Sequence, residues 1–304
     1  MSSDDRKKII TGTVLAVIAT IIWSGNFIIA RGVYDKIPPV SLAFYRWMTA
    51  TIILLPFAWS AFRKEFLFVK NHFWYFFWTS LTGVTLFNTC LYVAGHYTEA
   101  VNLALIGTTS SPIIATFLAA VFLKERISFL RILGMLICIS GILFLLSKGS
   151  IDRLISFRFT TGDWWILSAA FCFAVYNTFV RKKPKTVSSL TFLFTTFLLG
   201  TLLLFPMYLV ELNFVSVVTW NWNLSGIILY LGLGTSVISF LCWNAAIARL
   251  GSARTAIFGN LIPLFSTLEA VWLLHEQITR VHIISGLLLL AGLILANVRL
   301  SSEP

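Results

Sequence analysis

Leu123-Lys124-Glu125-Arg126-Ile127-Ser128 and Leu274-His275-Glu276-Gln277-Ile278-Thr279 are the same phrase, L-x-E-x-I-[ST], written twice 151 residues apart. The same offset pairs Asn26 with Asn177, Gly83 with Gly234, Pro112 with Pro263 and Gly141 with Gly292; Pro56 and Pro206 match one residue out of register. Self-similarity at a fixed offset makes each half a structural unit, here residues 1–148 and 149–304. Ser128 and Thr279 close the two phrases with hydroxyls suited to cap a helix start, where backbone N–H groups lack partners. The glutamate ahead of each is expected to orient that turn.

Outward from these phrases the chain is greasy. Its 304 residues are 58% hydrophobic and 12% charged, with a mean hydropathy of +0.87, against about 45–50% apolar and about 25% charged in a soluble domain. A hydrocarbon core of about 30 Å takes about 20 apolar residues per helix. Ten such runs follow one another, at 10–30, 41–61, 73–94, 101–122, 129–147, 163–180, 188–209, 225–247, 255–274 and 281–298. They are continuous rather than alternating, which excludes an outer-membrane barrel and points to an all-α membrane protein. The first run follows Arg6, Lys7 and Lys8 but lacks a small-residue cleavage site, so it is expected to be retained. Cys90, Cys138, Cys172 and Cys242 fall inside runs without ligand or disulfide spacing and read as packing residues.

Five spans per half is an odd number, so the second half starts on the opposite side of the membrane and the repeats are inverted. The net charge of +11 fits such a map. With the N-terminus inside, 16 of the 23 Lys and Arg fall on the cytoplasmic side, from Arg6, Lys7 and Lys8 through Arg63, Lys64, Lys70, Lys124, Arg126, Arg131, Arg181, Lys182, Lys183, Lys185, Arg249 and Arg254 to Arg299. Both termini are therefore expected in the cytoplasm, and the basic excess is a topology signal rather than a nucleic-acid footprint. Inverted repeats around a midplane site suit alternating access, although channels use them too.

Trp23-Ser24-Gly25-Asn26-Phe27, Phe44-Tyr45-Arg46-Trp47, Ser110-Ser111-Pro112 and the two glutamate phrases stand in this order over nearly the whole chain. Together they resemble the EamA-type families of the drug/metabolite transporter superfamily. The resemblance implies a ten-helix secondary carrier of bacterial inner membranes, commonly an exporter of amino acids or related small metabolites, with aromatic amino acid exporters the nearest type. Multidrug or nucleotide-sugar carriers of the same fold, or a channel, are the alternatives.

The candidate site is drawn from polar and aromatic residues inside spans. Asn88, Tyr92 and His96 recur every four residues as one stripe of the third helix. Trp23, Asn26 and Phe27 share a face of the first; Tyr176 and Asn177 occupy the matching part of the sixth; Trp243 and Asn244 stand on the eighth. Lipid-buried polar groups turn inward, so these are expected to line a substrate cavity suited to an apolar body with a polar end. Arg46 either holds a substrate carboxylate or snorkels to headgroups, and the resemblance favours a buried arginine that locks packing. Glu269 is the only acid deep in a span; proton coupling, a substrate ammonium, or a protonated carboxyl bonded to a neighbouring helix would each account for it. Pro112 and Pro263 are candidate gating bends or static kinks. Gly134 and Gly141, seven apart on the fifth helix, permit close helix packing, with a dimer contact the lesser alternative to a monomer.

No paired carboxylates, metal cluster or activated nucleophile is apparent, so an enzyme is not indicated, and no cofactor or metal is implied. Gly232-Leu233-Gly234 lacks the rest of a nucleotide fingerprint. The expected partners are a small-molecule substrate and membrane lipid, with no nucleic acid.

Overall fold

The computed structural model describes residues 3–123, 129–150, 152, 159–184, 186–215, 218–250, 255 and 258–297. Glu125 and Ser128 lie outside the described residues, as do Lys124, Arg126, Lys185, Arg254 and Arg299 of the charge map. Among the described residues ten long helices follow in order: α1 (Ser3–Gly32), α2 (Pro39–Asn71), α3 (73–95), α4 (Ala100–Leu123), α5 (Phe129–Leu146), α6 (Thr161–Arg181), α7 (Ser189–Glu211), α8 (Trp222–Leu250), α9 (Ile262–Leu274) and α10 (Arg280–Asn297). Five of the helices, α1, α2, α4, α7 and α8, are individually long and apolar enough to cross a membrane, and the chain is a multi-pass helical membrane protein.

Helix starts carry the chemistry their position demands. Pro39 opens α2, where a missing N–H is harmless. Thr160 and Asp163 form a reciprocal cap on α6, Ser188 caps α7 and Asn221 caps α8. Thr279 Oγ1 accepts from the His282 N–H at 3.4 Å, as expected of the residue before α10.

Three expectations are corrected. α2 runs about ten residues beyond its expected end at 61, to Asn71. The ninth span is broken by a turn at Asn260 and Leu261, so Pro263 stands in the first turn of α9 and does not bend a helix interior; its missing N–H breaks nothing there. Pro112 does lie inside α4, on an exposed face. Glu276 does not organise its own turn. Its carboxylate reaches across to accept from the N–H groups of Ala100 and Val101 at 2.8 and 3.1 Å, capping α4.

Several contacts join residues one repeat apart. Thr51 and Thr201 hydroxyls meet at 3.2 Å between α2 and α7, 150 residues apart. At one end of this pair Glu65 accepts from Ser188 N–H at 3.0 Å; at the other Glu211 accepts from Val40 and Ser41 N–H at 3.0 and 2.7 Å. The two helices are therefore antiparallel. In α5 and α10, Cys138 Sγ donates to the Leu289 carbonyl, 151 residues on, at 3.6 Å. Gly141 faces Leu288 and Leu289, while Gly292 faces Cys138 and the Gly134 carbonyl, so this pair is antiparallel too. α1 packs on α8 and α9, and α6 on α3 and α4. α3 and α8 each contain a π-helical stretch at matching places, Leu81–Leu86 and Tyr230–Ile238.

Candidate functional site

Where α1, α2, α3 and α8 meet, Arg46 is buried, with 4% of its surface exposed. Its Nη1 donates to Asn26 Oδ1 and Asn88 Oδ1, both at 2.8 Å, and to the Tyr92 hydroxyl at 2.9 Å; its Nε donates to Ser236 Oγ at 3.0 Å. The guanidinium also lies over the Trp47 ring, 4.8 Å from its centroid. Each partner is itself oriented. Asn88 Nδ2 donates to the Val84 carbonyl at 2.9 Å, which turns its oxygen toward Arg46. Tyr92 accepts from Arg46 and donates to Asn26 Oδ1 at 3.0 Å. Ser236 donates to Leu231 O, five residues back, at 3.0 Å, a spacing that the π-helical stretch of α8 creates.

All four hydrogen-bond partners of Arg46 are neutral. A buried cation is retained at a cost of several kcal/mol unless opposite charge or strong hydrogen bonds compensate it. Here amide, phenol and hydroxyl oxygens surround the guanidinium in a buried crossing of four helices, with no carboxylate among its partners.

Aromatic side chains of α1 and α8 pack on one another. Trp23 Nε1 donates to the Thr235 carbonyl in the π-helical stretch at 2.9 Å, and its ring stands 5.2 Å from Trp243 and 5.4 Å from Phe240. Phe27, one turn on, is buried and faces Gly107 of α4. Gly83 receives the Tyr176 ring directly; a side chain there would occupy the ring's place, which is why α3 and α6 approach so closely.

The expected residues divide into those brought together and those left apart. Asn26, Arg46, Asn88 and Tyr92 form one network, while Trp23 and Trp243 pack on each other and Phe27 faces α4. His96 is set apart: it follows the end of α3, edge-on to Tyr34 with centroids 5.7 Å apart and close to Arg31, which donates to the Gly95 carbonyl at 3.1 Å. Burial first, then the Arg31 guanidinium, holds the His96 imidazole below its ordinary pKa, with Glu211 pulling it the other way. The stripe thus ends at Tyr92, because His96 lies past the last helical turn. Asn244 is exposed; Asn177 and Tyr176 belong to α6 and do not join the Arg46 network.

Glu269 is also separate. Its Oε1 lies 2.7 Å from Ser24 Oγ. Ser24 and Asn26 are two residues apart, about 200° around α1, so the contacts to Glu269 and to Arg46 leave α1 from different faces, with Tyr230 packed on the intervening Gly25. Neither of two surface grooves, one between α2 and α8 by Tyr45 and Trp220, the other at Trp59, Arg63 and Lys64, is lined by this cluster or by Glu269. Sequence reasoning missed Ser236, Ser24, Ser266 and Tyr230; a serine inside an apolar run carries no signal of its partner.

Fold and site together define a multi-pass helical membrane protein with a polar cluster buried where four of its helices meet. The chain belongs to the EamA-like transporter family, whose model matches it twice, over residues 10–147 and 160–298. It is 27% identical over 286 residues, 94% of this chain and 96% of the other, to an uncharacterized transporter of Archaeoglobus fulgidus. It is 29% identical over 189 residues, 62% of this chain and 61% of the other, to a probable terminal-alkyne amino-acid exporter of Streptantibioticus cattleyicolor. Across 92% of both chains it is 23% identical to a probable amino-acid metabolite efflux pump of Salmonella typhimurium.

Proposed function

We propose that this protein is a secondary carrier that exports amino acids or similar small amphipathic metabolites by alternating access. The observation that carries the reading is Arg46, a buried cation whose protein partners are all neutral. A substrate carboxylate is the charge such a site lacks, and the indoles of Trp23 and Trp243 with Phe27 suit an apolar body. The two relatives named for amino-acid export support the substrate class. Residues 1–148 and 149–304 act as inverted five-helix halves, a reading supported by the antiparallel pairing of α2 with α7 and of α5 with α10, each a helix and its repeat counterpart. The basic residues favour both termini in the cytoplasm of a bacterial inner membrane.

Arg46 also admits a second reading, a brace that locks four helices, favoured by its four hydrogen bonds. The two readings part on substrate chemistry. The primary test is counterflow: purified protein in liposomes preloaded with unlabelled amino acids should accumulate radiolabelled amino acid transiently and saturably, with drugs and nucleotide sugars as controls. Linear, voltage-driven flux of inorganic ions instead would identify a channel.

A further inference from the structure

The seam between α1 and α9 holds three side chains whose hydrogens can be counted. Ser24 Oγ lies 2.5 Å from the Ile21 carbonyl and 2.7 Å from Glu269 Oε1, yet it has one hydrogen for these two oxygens. The neighbouring hydroxyls are already committed. Ser266 Oγ donates to the Ser24 carbonyl at 3.3 Å, and the Tyr230 hydroxyl donates to the Ile22 carbonyl at 2.7 Å. The second oxygen of Glu269, Oε2, is buried without a partner. Arg46, the buried cation of the described residues, is engaged by Asn26, Asn88, Tyr92 and Ser236 and makes no contact with Glu269. α4, which also packs on α9, contains no titratable residue.

An ionised carboxylate in this place would have a buried oxygen without a hydrogen bond and, among the described residues, no counter-ion, an arrangement that costs several kcal/mol. A neutral carboxyl needs one acceptor and has it: with Ser24 donating to Ile21, Glu269 donates to Ser24, and every short contact holds one hydrogen. We infer that Glu269 is a proton-binding site, a neutral acid hydrogen-bonded to Ser24 whenever α1 and α9 are packed together, and that its proton holds this seam closed. When the helices part, water reaches the carboxyl, the O–H bond breaks, the proton passes to water and a hydrated carboxylate remains. On the carrier reading proposed above, on which this last step rests, that cycle couples transport to protons; the protonation and the closure stand without it.

Two measurements on the full chain in liposomes test the proposal without needing a substrate. Infrared spectroscopy should show a carboxylic acid C=O band at neutral pH that is absent from Glu269→Gln and shifted to higher frequency in Ser24→Ala, where the acid loses its acceptor. Spectra of the wild type and Glu269→Gln that coincide at neutral pH would overturn the inference. Gly32 of α1 faces Leu274 of α9, with 3.1 Å between an added Cβ and Leu274 Cδ2. Cross-linking of Gly32→Cys with Leu274→Cys should therefore fall as pH rises relative to the same pair in Glu269→Gln measured at each pH, which cancels the thiols' own pH dependence; a ratio that does not change with pH sinks the closure role. Failed counterflow with the infrared band intact removes the carrier reading and leaves the proton site standing.

Discussion

At the scale of single residues, Arg46 decides what the site can do. Its Nη1 and Nε reach partners on three other helices, a planar fork that one ammonium cannot reproduce. Arg46→Lys is expected to abolish counterflow. With a milder variant, Tyr92→Phe, one hydroxyl is removed from the guanidinium, a loss of about 1.5–3 kcal/mol for a charged hydrogen bond. A carboxylate-binding Arg46 predicts that Tyr92→Phe raises KM for an amino acid more than for its amide; equal changes for both would leave Arg46 as a brace. Tyr92→Ala, which also opens a void in the buried network, should lower flux about tenfold or more at normal protein abundance, read by transport assay against immunoblot. The residue types at this site were legible, because Asn, Tyr and Arg inside apolar runs are conspicuous. Ser236 was not, since it meets Arg46 from 190 residues away and only through a π-helical shift.

Between elements, glycines set how closely helices approach. Gly292 of α10 sits against α5, where an added Cβ would stand 2.6 Å from both Cys138 Sγ and the Gly134 carbonyl. Backbone cannot yield as a flexible side chain can, so Gly292→Ala should destabilise by about 1–3 kcal/mol through overpacking. Gly226 in the first turns of α8 has nothing within 4 Å of an added Cβ. There Gly226→Ala should be neutral or stabilising by up to about 1 kcal/mol, from helix propensity alone. Thermal unfolding in detergent, measured side by side, checks both directions. The Gly141 and Gly292 match was visible in the repeat, yet that these two glycines serve one shared α5–α10 contact required the packed chain. The broken start of α9 was hidden for a related reason: hydropathy continues through Asn260 and Leu261, and the turn shows only in the backbone.

For the whole molecule, the pairing of α2 with α7 sets what can move. Carboxylates tie this pair at both ends, Glu65 to Ser188 and Glu211 to Val40 and Ser41, with Thr51 touching Thr201 between them. Both ties are made at once, so the pair is expected to stay together through a transport cycle. A Thr51→Cys, Thr201→Cys pair bridged by a bifunctional reagent should therefore retain counterflow, and loss of transport on bridging would show that these helices separate. Composition, apolar runs and the 151-residue repeat were enough to determine a multi-pass helical membrane chain in two similar halves, because lipid burial and helix length are written locally along a sequence. Only the tertiary structure decided that Glu276 caps a helix of the other half, that Asn26 and Ser24 serve opposite faces of α1, and that Arg46 and Glu269 occupy separate environments. Those are pairings between residues tens to hundreds of positions apart, and their partners are fixed by how the helices pack.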